Sequence, residues 1–62
     1  MKKGDRIKLN FPTIIENILR SGILTVTVVG EKEIWFDGEG FKTKLSKEKV
    51  EWCIDNGSFE LI

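Results

Sequence analysis

Polar and apolar residues alternate along several segments of the chain, and a period of two is typical of half-buried β-strands. Alternation predicts strands over residues 3–10, 23–29, 33–36 and 41–45, and a short apolar segment predicts a last strand over 59–62. The segments at 30–32 and 37–40 contain glycine and join the middle strands as turns. We therefore expect a β-meander through the middle of the chain.

Two segments have the apolar spacing of short helices. Residues 13–20 open with Thr-Ile-Ile-Glu, the sequence of a capping box, and Gly22 follows where a left-handed helix cap would lie. Their apolar positions fall on one helical face: Ile14, Ile15, Ile18 and Leu19. Residues 47–55 follow Ser46, a good N-cap, and stop before Gly57. The expected element order is β-α-β-β-β-α-β.

Residues 15–26 and 50–61 share one pattern of apolar, charged and glycine positions. An internal duplication would explain this similarity. A short amphipathic helix that ends at glycine and leads into a strand produces the same pattern, and we favour that second interpretation. Both interpretations predict a helix, a glycine and a strand in each segment.

The same periodicities predict the core. The residues expected to be buried are Ile7, Leu9, Ile15, Ile18, Leu19, Val26, Val28, Ile34, Phe36, Leu45, Val50, Ile54 and Leu61. If Ile34 and Phe36 point inward, Trp35 points outward between them. Its expected neighbours on adjacent strands are Thr25 or Thr27 and Lys42 or Lys44, and together they predict an apolar patch with a basic rim.

Trp52 is the second tryptophan that the pattern leaves outside the core, because it lies off the inner stripe of the second helix. Exposed tryptophan is typical of binding hot spots. The expected binding residues are Trp35, Lys42, Lys44, Thr25, Thr27 and Trp52. The alternative for either tryptophan is that it covers the core of a very small domain.

Composition restricts the chemistry. A chain of 62 residues forms a single domain, residues 1–62, and this one contains no His and one Cys. A His-based triad, a His-assisted thiol and a His-containing zinc site are therefore excluded, and no internal disulfide can form. We expect Cys53 to be a core residue, and we expect a protein without cofactor or metal in a reducing, cytoplasmic compartment. No apolar run is long enough to span a membrane.

The carboxylates do not indicate catalysis. Asp37 and Glu39 share a turn, neither of them is bracketed by apolar residues that would raise its pKa, and together they offer too few ligands for calcium. Charges are balanced overall but segregated: residues 1–10 and 41–50 each carry four bases against one acid, whereas 31–40 carry four acids against one base. Such blocks steer encounters with a partner; the alternative is a chance distribution.

The opening segment Lys-Gly-Asp-Arg-Ile at 3–7, the meander of 23–45 and a short helix before the last strand resemble the small SH3-like barrels, including many short phage- and prophage-type proteins. The resemblance implies a mainly β (α+β) fold: a small, strongly curved antiparallel sheet or SH3-like barrel of about five strands with two short helices. It also implies a binding role. The helix at 13–20 departs from the simplest barrel, whose first long loop is irregular.

We therefore expect a small non-enzymatic binding module that acts through protein–protein contact or self-association. The alternative is an SH3-like domain that binds nucleic acid or a nucleotide. Trp35 would then stack on a base, and the phosphate contacts would come from Lys42, Lys44, Lys47 and Lys49. The net charge of zero counts against this alternative, because phosphate-driven affinity favours a basic domain.

Overall fold

The computed structural model describes all 62 residues as one antiparallel sheet with one helix. The elements are β1 (Arg6–Ile15), β2 (Ile18–Val29), β3 (Glu33–Asp37), β4 (Lys42–Ser46), α1 (Lys47–Asp55) and β5 (Phe59–Leu61). The strand order is β4-β3-β2-β1-β5, so the sheet is open with β4 and β5 at its edges. The predicted mainly β fold, the middle meander and the number of strands are confirmed.

Residues 13–20 form a β-hairpin, so the predicted helix there is wrong. β1 and β2 pair as far as Ile15 and Ile18, and Glu16 and Asn17 alone make the turn. Both turn residues are left-handed, with φ of 52° and 66°, as a tight two-residue hairpin requires. The β-branched residues on either side are compatible with extended backbone, just as the capping-box pattern is compatible with a helix.

The hairpin is irregular near its middle. The pairing of β1 with β2 shifts between Leu9 and Thr13, an interval that contains Pro12, whose missing N–H cannot join the ladder. Gly22, which pairs with Leu9 at one end of this interval, has a φ of 99°. Gly22 therefore accommodates an irregular strand and is not the predicted helix cap. Of the two similar segments, only 50–61 forms a helix, a glycine and a strand.

The predicted helix at 47–55 is confirmed together with both of its ends. The Ser46 hydroxyl accepts a hydrogen bond of 3.0 Å from the Lys49 N–H, which satisfies one of the free donors of the first turn. Gly57, with a φ of 85°, follows Asn56 and ends the helix. The Asn10 side chain donates a 2.9 Å hydrogen bond to the Gly57 carbonyl and so ties this end of the helix to β1.

The core lies between the inner face of the sheet and α1. Its buried residues are Ile7, Leu9, Ile15, Leu24, Val26, Ile34, Phe36, Val50, Cys53 and Phe59. Leu45 and Ile54 are partly buried against this cluster. The prediction that Cys53 belongs to the core is confirmed.

Four residues predicted to be buried are exposed instead: Ile18, Leu19, Val28 and Leu61. Ile18 and Leu19 lie in the hairpin that replaces the predicted helix. Val28 lies beyond a bulge that reverses the alternation of β2. Leu61 lies on the edge strand β5. Leu24 and Phe59 belong to the core and were missed.

Candidate functional site

The face of the sheet that is turned away from the core is the outer face. Its cross-strand positions carry Arg6, Lys8, Thr25, Val28, Glu33, Trp35, Asp37, Lys42, Lys44 and Glu60. Trp35 is 44% exposed there, whereas Ile34 and Phe36 on either side of it are buried. The alternation of β3 therefore places Trp35 as the sequence predicts, and this tryptophan does not cover the core.

Trp35 has one neighbour on each adjacent strand. On β2 its partner is Val28, which is 52% exposed. On β4 its partner is Lys44, whose Nζ lies 5.2 Å from the centre of the indole ring. Lys44 was predicted as a neighbour, but the predicted Thr25 or Thr27 is replaced by Val28.

A bulge in β2 explains that replacement. Val26 pairs with Phe36 and Val28 with Trp35, so Thr27 is an additional residue without its own partner on β3. Thr25 lies farther along the strand, opposite Asp37. The outer face therefore combines an indole, an exposed valine and a lysine stem in one row across β2, β3 and β4.

The rim of this row is mixed in charge and not basic, which corrects the sequence-based expectation. Lys44 Nζ lies 3.7 Å from Glu33 Oε2, and both side chains are about half exposed. Lys42 lies opposite Asp37 in the β3–β4 ladder. Each lysine of β4 thus has a carboxylate of β3 as its neighbour, and these exposed pairs reduce the positive potential of the face more than they stabilise the fold.

Trp52 does not join the outer face. It belongs to α1, where it is 59% exposed, and the Lys49 Nζ lies 4.7 Å from the centre of its ring. The helix buries Val50 and Cys53 against the core, which leaves Trp52 on its solvent side. Of the predicted binding residues, the structure brings Thr25, Trp35, Lys42 and Lys44 to one face, sets Thr27 beside them and leaves Trp52 apart.

Sequence reasoning missed two apolar surfaces. One is a cleft of about 290 Å³ beside α1, lined mainly by Met1, Val29, Ile34, Val50, Ile54 and Leu61. The other lies along the β1–β2 hairpin and exposes Phe11, Ile14, Ile18 and Leu19. The sequence would have predicted the hairpin surface only if residues 13–20 had been assigned to strands, because a helix would turn the same apolar side chains toward the core.

Cys53 is a free cysteine, and it is buried. Burial raises the pKa of the Cys53 thiol, and the nearby Lys49 only partly opposes this effect, so the reactive thiolate is disfavoured. No three His, Cys, Asp or Glu side chains form a group that could hold a metal ion. The helix α1, with nine residues, is neither long enough nor apolar enough to cross a membrane.

No protein-family model, no curated protein and no solved structure matches this chain. The surfaces of the molecule itself are therefore the features that bear on its function. Among them, the outer face is the one that places an exposed indole, an apolar neighbour and charges of both signs on regular strands.

Proposed function

We propose that the chain is a small non-enzymatic binding module that contacts a protein surface, either another protein or a second copy of itself, through its outer face. The observation that carries this proposal is the exposure of Trp35 beside Val28 and the Lys44 stem. An indole that the core does not use, set on rigid strands, provides a large contact area at a small cost in conformational entropy.

The mixed charges of the outer face support a protein partner. Carboxylates accompany the lysines of β4, and Glu60 lies opposite Lys8 at the other side of the sheet. Alternating signs provide specific pairing with a surface that carries the complementary pattern. They are poorly suited to a uniformly negative ligand, because each lysine already has a carboxylate nearby.

We further propose that the fold is a variant of the SH3-like barrels. The strand order β4-β3-β2-β1-β5 and the short helix before the last strand support this relationship. The contact between the end of the β1–β2 hairpin and β4, where the Thr43 hydroxyl reaches Glu16, supports partial closure of the second side of the core. Membership of the phage- and prophage-type group stays a prediction.

Backbone amide chemical shifts test the proposed surface. The shifts are measured in two titrations. In the first, the concentration of the protein is raised; in the second, a partner protein captured from the source cells is added. We expect the largest changes at Val28, Trp35 and Lys44. Changes confined to the cleft around Leu61, or to the hairpin around Ile14, would contradict the proposal, because they would place the contact on a different surface.

Nucleic acid or nucleotide binding is the second candidate, and the observation in its favour is the position of Lys42 and Lys44 next to an exposed indole. Bases stack on aromatic side chains while lysines contact phosphates. A titration with single-stranded DNA and RNA at two salt concentrations separates the candidates. Binding that weakens steeply with salt and is lost in Trp35→Ala would favour nucleic acid, since phosphate contacts release counterions.

A further inference from the structure

The charge on the outer face changes sign from strand to strand. On one side of the sheet, β4 presents Lys42 and Lys44, and β3 presents the carboxylates of Glu33 and Asp37. The central strand β2 presents no charge on this face. On the other side, β1 presents Arg6 and Lys8, and β5 presents the carboxylate of Glu60. The pattern is antisymmetric about β2. Strands at equal distances on the two sides of β2 carry opposite charges.

This antisymmetry makes the outer face complementary to a second copy of itself. A rotation by 180° about an axis that lies in the interface along β2 places β3 over β1 of the second copy, and β4 over β5. Asp37 on β3 then faces Arg6 on β1, Lys42 on β4 lies one pleat along the strands from Glu60 on β5, and the uncharged β2 strands face each other. The perpendicular two-fold axis would place every strand over its own equivalent and would oppose like charges on β1, β3 and β4.

We infer that two copies of the chain pack outer face against outer face about a two-fold axis that runs along β2. This inference rests on the proposed function, because it identifies the partner of the outer face as a second copy. Symmetric self-complementary contacts of this kind are the commonest route to soluble dimers. Opposite charges across such a contact fix its register and reject the like-charged arrangement.

The strand register identifies the decisive pair. Asp37 and Arg6 both lie opposite Thr25, on its two sides, and therefore stand at the same level along the sheet. Rotation about β2 brings Asp37 of one copy over Arg6 of the other, and the symmetry repeats this contact. Val28 and Trp35 lie at the neighbouring level of the same face and provide the apolar centre. Sheets that pack face to face cross at about 30°, an offset that the long Arg6 side chain spans.

The test uses two charge reversals, Asp37→Arg and Arg6→Asp, studied separately and mixed. Each variant alone opposes two pairs of like charges in the dimer, so we expect its self-association to weaken at least about a hundredfold. In an equimolar mixture, the arginine introduced at position 37 faces the aspartate introduced at position 6, and the native Asp37 faces the native Arg6. We therefore expect a heterodimer from two variants that are each monomeric.

Sedimentation velocity over a wide concentration range measures association, and thermal melting confirms that each variant is folded. If Asp37→Arg does not fold, because it also lies opposite Lys42, Asp37→Asn and Arg6→Gln replace the reversals; each should then weaken the wild-type dimer about tenfold. A heterodimer that forms only on mixing, or this weakening in the neutral pair, supports the inferred arrangement.

Three results would overturn it, and they differ in what they say about the proposed function. A wild-type chain that is monomeric at every concentration excludes a second copy as the partner and leaves the outer face for a different protein. If self-association is lost in Trp35→Ala but does not depend on the charges at positions 6 and 37, the outer face is still the contact surface, and the two-fold axis along β2 is wrong. Self-association that survives both Trp35→Ala and the charge changes rejects the outer face itself.

Discussion

The Thr43 hydroxyl donates a 2.9 Å hydrogen bond to Oε1 of Glu16, and this bond joins β4 to the turn of the β1–β2 hairpin. The two residues are 27 positions apart in the sequence, and Thr43 is buried. The same hairpin makes a second contact, because the Arg20 guanidinium of β2 lies 3.9 Å from the centre of the Phe41 ring in the loop before β4. The hairpin end is thus held against β4 and the loop before it by polar and cation–π contacts.

Replacement of Thr43 by valine preserves the shape of the side chain and removes the hydroxyl. We expect Thr43→Val to lower the free energy of unfolding by about 1 kcal/mol, the net contribution of such a bond. The loss is not larger because the exposed Glu16 carboxylate regains water when it loses its donor. Denaturant unfolding measures the change. Thr25→Val, on the outer face, is the matched control and should stay within about 0.5 kcal/mol of wild type; equal effects of the two substitutions would deny the bond a stabilising role.

Substitutions of Asn17 distinguish the hairpin from the predicted helix, because the two structures predict opposite orders of stability for the glycine and valine variants. Its φ of 66° favours glycine, so Asn17→Gly should leave stability unchanged or raise it, whereas Asn17→Val should lower it by about 1–2 kcal/mol. A helix over 13–20 would reverse the order, because glycine in a helix interior is less favourable than valine. Chemical denaturation of the two variants therefore distinguishes the two structures.

The local sequence of residues 13–20 does not distinguish a helix from a β-hairpin. The run Ile-Ile-Glu-Asn-Ile-Leu at 14–19 satisfies the spacing of a helical face, and it equally satisfies two strands joined by a two-residue turn. What decides between them is tertiary: Ile15 is buried in the common core, and Glu16 reaches Thr43 on a distant strand. For α1, in contrast, Ser46 and Gly57 are local signals that fix both ends.

In the candidate site, too, some features follow from the local sequence and others depend on the pairing of strands. The outward position of Trp35 follows from strict alternation within β3 and needs no knowledge of the neighbouring strands. Val28 as its neighbour depends on the bulge at Thr27, which is a property of the pairing between β2 and β3. Because Val28 and Val29 are both apolar, neither residue reveals in the sequence where the alternation reverses. The mixed rim likewise depends on the register that pairs β3 with β4.

Phe36 is the large aromatic residue at the centre of the core, and it is 1% exposed. We expect Phe36→Ala to lower the free energy of unfolding by about 3–5 kcal/mol, a large share of the total stability of a small domain. Phe11, which is 51% exposed, provides the control, since its truncation should change stability by about 0.5 kcal/mol or less. A Phe36→Ala protein that melts within a few degrees of wild type would contradict this description of the core.

Cys53 gives the protein a pH dependence in the alkaline range. Because burial raises the pKa of its thiol in the folded state, the folded state disfavours the thiolate relative to the unfolded chain. The resulting stability is present below the unfolded pKa, at about 8.5, and is lost as the pH rises through the higher folded value. We expect the free energy of unfolding of wild type to fall more steeply above about pH 8.5 than that of Cys53→Ala. Parallel curves would show that the thiol does not ionise differently in the two states.

The outer face around Trp35, as proposed above, binds a partner and does not support the fold. Trp35→Ala and Trp52→Ala form a matched pair, because each removes an exposed indole that lies beside a lysine, but only Trp35 belongs to the outer face. Both variants should melt close to wild type, since neither ring is part of the buried core.

The most direct measurement is sedimentation velocity of wild type, Trp35→Ala and Trp52→Ala, alone and with any protein that wild type captures from its source cells. We predict that Trp35→Ala remains folded and loses self-association or partner binding, while Trp52→Ala retains both. Unfolding of Trp35→Ala, or assembly and partner binding equal to those of wild type, would contradict the proposed binding role of the outer face.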